Sequence, residues 1–179
     1  LAAKSLNPSG GTLPLPTSAP YGAVLVNTES CTLCLSCVSL CPSGALMDNE
    51  DKPQLRFQED ACLQCGICAT ICPEKAITLE PRMNLDDTAL TQVVLNEEEP
   101  FACVECGTLF GSKATINRIT EKLAGKHAMF ATSDAARMIQ MCEGCRINAQ
   151  FNSANNPFAM GDRPRVRRTE DYLTKRKDH

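Results

Sequence analysis

Apolar and polar positions repeat in the first half of the chain at an offset of 31 residues. Short β-prone runs at residues 24–26 and 55–57 predict two strands, and runs at 45–47 and 77–79 predict their partners. The polar stretch at 48–53, which ends in proline, predicts a turn between the halves. Each half is therefore predicted to fold as strand, loop, short helix and strand.

The second half of the chain shows helical spacing instead. Ser112 can cap a helix, and Gly125 is placed to end it. The apolar positions between them are Ile116, Ile119 and Leu123. A second helix is predicted to start at Ser133 and to bury one apolar face. That face consists of Ala135, Met138, Ile139 and Cys142.

Composition argues against one large core. Aromatic residues make up 4% of the 179 residues and tryptophan is missing. No stretch reaches the roughly 18 apolar residues of a membrane span, and no secretory signal is recognised, so a cytoplasmic protein is expected. Residues 1–20 are rich in proline, serine, glycine and threonine and start at Leu1, which predicts a linker that continues N-terminally in the natural protein.

Charge is unevenly distributed. The formal net charge is −3, yet the residues from Gly161 onward hold seven Lys or Arg against four Asp or Glu. A solvated basic tail is the ordinary interpretation, with a docking arm as the alternative. Nucleic acid is not an expected partner, because the rest of the chain is acidic and the basic residues are not interleaved with aromatics.

Eight cysteines form two near-identical runs of the type Cys-x2-Cys-x2-Cys-x3-Cys-Pro, a spacing known from [4Fe-4S] proteins. Where two such runs occur together, the fourth cysteine of each run ligates the other cluster. The first cluster is then predicted to be held by Cys31, Cys34, Cys37 and Cys72. The second is predicted to be held by Cys62, Cys65, Cys68 and Cys41. Because neither cluster is complete until both loops fold together, metal binding contributes directly to folding.

Disulfides and zinc are the alternatives for these eight cysteines. A disulfide framework requires an oxidising compartment and rarely repeats this spacing twice. Zinc prefers two separated pairs of thiolates to four in one run. Both alternatives are disfavoured.

The four remaining cysteines form two Cys-x2-Cys pairs. A tetrahedral all-thiolate zinc site is the favoured interpretation, because each pair can occupy two corners, and a third iron–sulfur cluster is the alternative. The pairs are Cys103 with Cys106, and Cys142 with Cys145. His127 is interpreted as a structural histidine. The methionines in the same region are expected to fill core space. They are Met129, Met138 and Met141.

These motifs resemble known families. Residues 22–80 resemble a bacterial-type two-[4Fe-4S] ferredoxin, which implies electron transfer. Residues 97–151 and the segment from Arg163 to Leu173 are similar to the C-terminal part of proteobacterial 4Fe-4S dicluster proteins. That resemblance implies association with a molybdenum- or tungsten-dependent oxidoreductase such as a formate dehydrogenase.

The expected fold class is α+β: a ferredoxin-like two-cluster domain with a pseudo-twofold repeat of short strands and helices, followed by a small four-cysteine metal-binding helical domain. The expected boundaries are a linker at 1–20, the two-cluster domain at 21–82, a linker at 83–99, the four-cysteine domain at 100–151 and a basic tail at 152–179.

Two functional classes follow from the sequence. The favoured one is electron transfer between protein partners through two [4Fe-4S] clusters, because two complete clusters in one small unit form a relay. The alternative is an assembly, maturation or structural partner of a redox enzyme. A substrate-transforming enzyme is not expected, because the sequence offers no phosphate-binding loop, no dinucleotide motif and no cysteine outside the ligand groups.

Overall fold

The computed structural model describes residues 2–153 and 169–170. The chain divides into two compact units, of which the first extends to Cys142 and the second begins at Glu143. Most of the predicted basic tail at 152–179 lies outside the described residues. Helices and strands are mixed and the sheets are small, in agreement with an α+β fold.

The first unit contains eight strands and five of the six α-helices of the described chain. The strands are β1 (Thr12–Pro14), β2 (Gly22–Val26), β3 (Leu46–Met47), β4 (Gln54–Gln58), β5 (Ile77–Asn84), β6 (Gln92–Glu97), β7 (Pro100–Ala102) and β8 (Leu109–Ser112). The helices are α1 (Ala2–Leu6), α2 (Ser36–Ser39), α3 (Ile67–Ile71), α4 (Lys113–Leu123) and α5 (Ser133–Arg137). In the second unit, α6 spans Glu143–Phe151.

The two repeats exchange strands. β2 of the first repeat runs antiparallel to β5 of the second, with Val24 opposite Leu79. β3 of the first repeat pairs in the same way with β4 of the second, with Leu46 opposite Phe57. Each sheet therefore contains a strand from each half, and neither half can complete its backbone hydrogen bonds alone.

Two segments expected to be linkers contribute strands. β1 lies within residues 1–20 and pairs with β5, and β6 lies within residues 83–99 and pairs with β4. Both strands cover a sheet edge whose backbone groups would otherwise lack strand partners. β6 gave no clear sequence signal, because its Val93 and Val94 are adjacent and both exposed, so the alternation of a half-buried strand is missing.

The core of the two-cluster region is small and is formed by residues from both repeats together with the cysteine loops. Its buried members are Val24, Leu33, Cys37, Ala45, Leu46, Leu55, Phe57 and Ile77. Five further cysteines are partly buried and pack against it: Cys31, Cys41, Cys62, Cys68 and Cys72. Six of the eight cysteines of the two runs are thus part of the packed region, whereas Cys34 and Cys65 are exposed.

The region after β6 starts with a hairpin. β7 and β8 pair antiparallel, and the rings of Phe101 and Phe110 meet edge to face with centroids 5.8 Å apart. Ser112 caps α4 by accepting a hydrogen bond from the Thr115 amide, as predicted. The helix ends before Gly125, whose φ of +70° favours glycine.

The second predicted helix is shorter than expected. α5 begins at Ser133 but ends at Arg137, and a 3₁₀ turn (Met138–Gln140) follows. Met141 is extended and buried, so the prediction that Cys142 lies on this helix is wrong. The break has a physical consequence, because the extended backbone carries Cys142 toward the β7–β8 hairpin.

The core makes a prediction about stability. Leu55 is 1% exposed, and Leu25 on β2 is 48% exposed. Leu55→Ala should lower the free energy of unfolding by about 2–5 kcal/mol, because it removes buried methyl groups and leaves a cavity. Leu25→Ala, the matched control, should cost less than half as much. Urea unfolding of the metal-loaded protein measures both, and equal losses would contradict the assigned core.

Candidate metal centres

The two cysteine loops share an unusual backbone conformation. Leu33 and Leu35 in the first loop have φ of 53° and 57°, and Gln64 and Gly66 in the second have φ of 51° and 78°. These positions are related by the same offset of 31 residues. A left-handed conformation costs free energy at any residue other than glycine, so its presence in both loops indicates that the loop shape itself is required.

Each loop lines a cavity that also receives the last cysteine of the other repeat. The first cavity is lined by Cys31, Cys34, Cys37 and Cys72. The second is lined by Cys62, Cys65, Cys68 and Cys41. Apolar side chains complete both walls, Leu55 and Ile77 in the first, Val24 and Phe57 in the second. These groupings match the ligand sets expected from the spacing and support that assignment.

Burial disfavours ionisation of several thiols in the two loops. It raises the pKa of Cys37 to about 12, and the neighbouring Cys31 and Cys34 add to the effect. Burial also raises the pKa of Cys62 and of Cys68. Packed thiolates repel one another in apolar surroundings, so they need compensating positive charge. The donor set therefore fits a group that supplies iron, which binds the thiolate form.

The fourth cysteine of each run has hydrogen-bond partners close to its sulfur. The amide of Ala76 donates to Cys72 Sγ at 3.3 Å. At Cys41, burial raises the thiol pKa, but hydrogen bonds from the loop that follows it, including the Ser43 hydroxyl, outweigh this and lower the pKa. Such donors stabilise thiolate ligands and tune the potential of a bound cluster.

Two of these donors were not identified from the sequence. The Ser43 hydroxyl lies 3.7 Å from Cys41 Sγ. The side-chain amide of Gln64 lies 3.5 Å from Cys62 Sγ. Their repeat counterparts are Glu74 and Leu33, so the repeat gives no signal for them. Only the folded loop shows that they approach sulfur.

The other four cysteines form a compact group. The Sγ atoms of Cys103, Cys106, Cys142 and Cys145 all lie within 4.8 Å of one another. The Sγ atoms of Cys106 and Cys142 are 3.6 Å apart. A tetrahedral zinc ion with Zn–S bonds of about 2.3 Å places its sulfurs about 3.8 Å apart. A cubane binds each thiolate to a different iron and spreads them more widely, so the spacing fits a single zinc ion.

Backbone hydrogen bonds around Cys103 favour metal binding by this group. Cys103 follows β7, Cys106 lies in the hairpin turn, and Gly107 with φ of +74° closes the turn by donating to the Cys103 carbonyl at 2.9 Å. The Cys142 amide donates to Cys103 Sγ at 3.2 Å. Burial raises the pKa of Cys103, but backbone hydrogen bonds from Cys106, Cys142 and Glu105 lower it to about 6. The thiolate form that zinc requires is therefore favoured at neutral pH.

His127 has a structural contact, as expected. Its Nδ1 accepts a hydrogen bond from the Met129 amide at 3.2 Å, and its ring lies beside Phe130. Among the methionines, Met141 is buried, but Met129 is 68% exposed, so its expected role in the core is wrong. Met129 lies in a short 3₁₀ turn that leaves its side chain outside the packed region.

Comparison with known proteins bears on the two cysteine loops. Residues 30–77 match the family model described as the 4Fe-4S dicluster domain. No curated protein matches the chain. The matched segment contains all eight cysteines of the two runs, and it supports iron–sulfur cluster binding and electron transfer. Within residues 2–153 and 169–170, no helix combines the length and apolar character needed to cross a membrane.

The crossed cavities predict which pairs of substitutions act together. Cys41→Ala combined with Cys62→Ala removes two ligands of one site, and about four irons should remain. Cys41→Ala combined with Cys31→Ala damages both sites, although the two residues belong to one loop, and should lose most iron. Iron and acid-labile sulfide assays of anaerobically prepared protein measure this. The reverse ranking of the two double variants would show that each loop holds its own cluster.

Proposed function

We propose that the chain holds two [4Fe-4S] clusters and carries single electrons between protein partners. The observation that supports this most strongly is the pair of cavities, each lined by three cysteines of one loop and the last cysteine of the other repeat. The first cluster is assigned to Cys31, Cys34, Cys37 and Cys72. The second is assigned to Cys62, Cys65, Cys68 and Cys41.

The same short helices serve both sites. Cys37 lies in α2 and lines the first cavity, whereas Cys41 follows α2 and lines the second. Four residues of chain span at most about 14 Å, so the two sites are close. Cys68 in α3 and Cys72 after it repeat the arrangement. Close spacing of this kind supports a relay.

The protein's own residues would bind the clusters, keep water out and adjust the potentials. The apolar walls that include Leu55 and Phe57 lower the local dielectric, and the amide of Ala76 and the hydroxyl of Ser43 lie within reach of sulfur. Burial and hydrogen bonds to sulfur are among the factors that set cluster potentials. When bound, the clusters supply one-electron oxidation and reduction.

We assign one zinc ion to the four-cysteine group, with a third iron–sulfur cluster as the alternative. The 3.6 Å separation between the Sγ atoms of Cys106 and Cys142 supports zinc. Its role is structural, because the four cysteines leave no open coordination position.

The physiological setting is proposed from the sequence resemblance. A bacterial-type two-cluster ferredoxin unit followed by this four-cysteine region resembles the C-terminal part of proteobacterial 4Fe-4S dicluster proteins. We therefore propose that the chain is a subunit or domain of a larger cytoplasmic redox system, with a molybdenum- or tungsten-dependent oxidoreductase of the formate dehydrogenase type as partner.

Metal analysis with redox spectroscopy tests the proposal. Protein prepared without oxygen should contain about eight irons, eight sulfides and one zinc. Dithionite should reduce both clusters and produce paramagnetic signals in electron paramagnetic resonance.

Other results would point elsewhere. About twelve irons without zinc would indicate a third cluster at the four-cysteine group. Two intact clusters that accept no electron would favour a structural or assembly role. Protein without acid-labile sulfide would overturn the proposal.

A further inference from the structure

The loop that carries the first ligands is held from outside by α4. The carbonyl oxygen of Thr32, between Cys31 and Cys34, accepts a hydrogen bond from Ser112 Oγ at 2.7 Å and from Thr115 Oγ1 at 2.5 Å. Ser112 is buried. Both hydroxyls lie at the start of α4, so the N-terminus of one helix fixes a single peptide group inside the predicted cluster loop.

The same helix reaches the segment that supplies the fourth ligand. Glu74, two residues after Cys72, accepts hydrogen bonds from the Arg118 guanidinium at 2.8 and 3.1 Å and pairs with Lys122 Nζ at 3.1 Å. Together these four side chains of the α4 region form what we call the α4 clamp: Ser112, Thr115, Arg118 and Lys122.

The clamp contacts the lining of one cavity only, the one formed by Cys31, Cys34, Cys37 and Cys72. The counterpart of Thr32 in the second repeat is Leu63, which is 56% exposed. The counterpart of Glu74 is Ser43, whose hydroxyl instead lies 3.7 Å from the sulfur of Cys41. Two loops with the same backbone shape therefore have different surroundings.

The clamp is also joined to the four-cysteine group. Ser112 is the last residue of β8, the strand that leaves the hairpin turn containing Cys106. Cys103 follows the partner strand β7, to which β8 is hydrogen bonded. A metal ion that fixes this hairpin thus also fixes the residue that caps α4 and contacts Thr32.

We propose that Ser112 and Thr115 are positioning residues for the first cluster, and that the α4 clamp sets its reduction potential and protects it, with no corresponding effect on the second cluster. This inference rests on the proposed function. A fixed Thr32 carbonyl orients the peptide group that leads into Leu33, a buried residue in the left-handed conformation. Peptide dipoles and solvent access around a cluster are what tune its potential and its stability.

The test removes one hydroxyl. Thr115→Val deletes the hydrogen bond to Thr32 and preserves shape, and Thr115→Ser restores the hydroxyl. Thr120→Val is the matched control, because the Thr120 hydroxyl donates a hydrogen bond to the Ile116 carbonyl of its own helix and not to a cysteine loop of the described chain. Redox titration monitored by electron paramagnetic resonance, and bleaching by an iron chelator, are measured for all three variants and the unmodified chain.

The expected result is selective. Thr115→Val should shift one of two potentials and speed bleaching of one cluster roughly fivefold, the factor that one neutral hydrogen bond represents. Thr115→Ser and Thr120→Val should behave as the unmodified chain. In a Cys41→Ala background, which retains the first cluster, the effect of Thr115→Val should persist, and in a Cys72→Ala background it should vanish.

Two results would contradict the proposed role of the clamp, and they differ in what they say about the proposed function. If the unmodified chain has two reducible clusters and Thr115→Val matches Thr120→Val, the clamp is overturned and the proposed function stands. If the unmodified chain has no reducible cluster, the proposed function itself fails. Should Thr115→Val not fold, Arg118→Gln replaces it, with Lys113→Gln on the same helix as control. Only Arg118→Gln should accelerate bleaching, and equal rates would again overturn the clamp.

Discussion

The exchange of elements between two halves of one repeat is the constraint on which the rest of the cysteine region depends. Strands β2 and β4 each pair with a strand from the other half, and Cys41 and Cys72 each line the cavity of the opposite loop. The hydrophobic core between them is small. Burial of a few aliphatic side chains stabilises such a region only modestly, and the proposed binding of clusters across the halves would supply what a larger core otherwise provides.

The two kinds of cysteine site differ in how the protein treats the thiols. In the loops, burial raises the pKa of Cys37, Cys62 and Cys68, so the metal must overcome a cost of ionisation. At Cys103, backbone amides lower the pKa to about 6. The second site combines two cysteines of the β7–β8 hairpin with two that follow α5, and its short sulfur separations suit one ion. The loops instead surround volumes that a larger inorganic group would fill.

Much of the fold and of the cysteine sites was predictable because the 31-residue repeat is visible in the sequence. The four short strands, the cysteine loops, and the cap and end of α4 all follow from local patterns. The early end of α5 did not, because the apolar spacing through Cys142 is helical and only the approach to Cys103 breaks it. β1 and β6 were also not predicted from the sequence, because they are edge strands whose formation depends on the sheets they join. The hydrogen bonds to Thr32 involve residues about 80 positions away, and no local pattern predicts them.

The crossed strands have an implication for how such a chain can arise. A polypeptide equal to one half has a strand with no partner and a cysteine directed away from its own loop. It can reach the same architecture only when two copies associate around a dyad. The present chain therefore has the organisation of a fused homodimer, to which α4 adds contacts with Thr32 of the first half and Glu74 of the second.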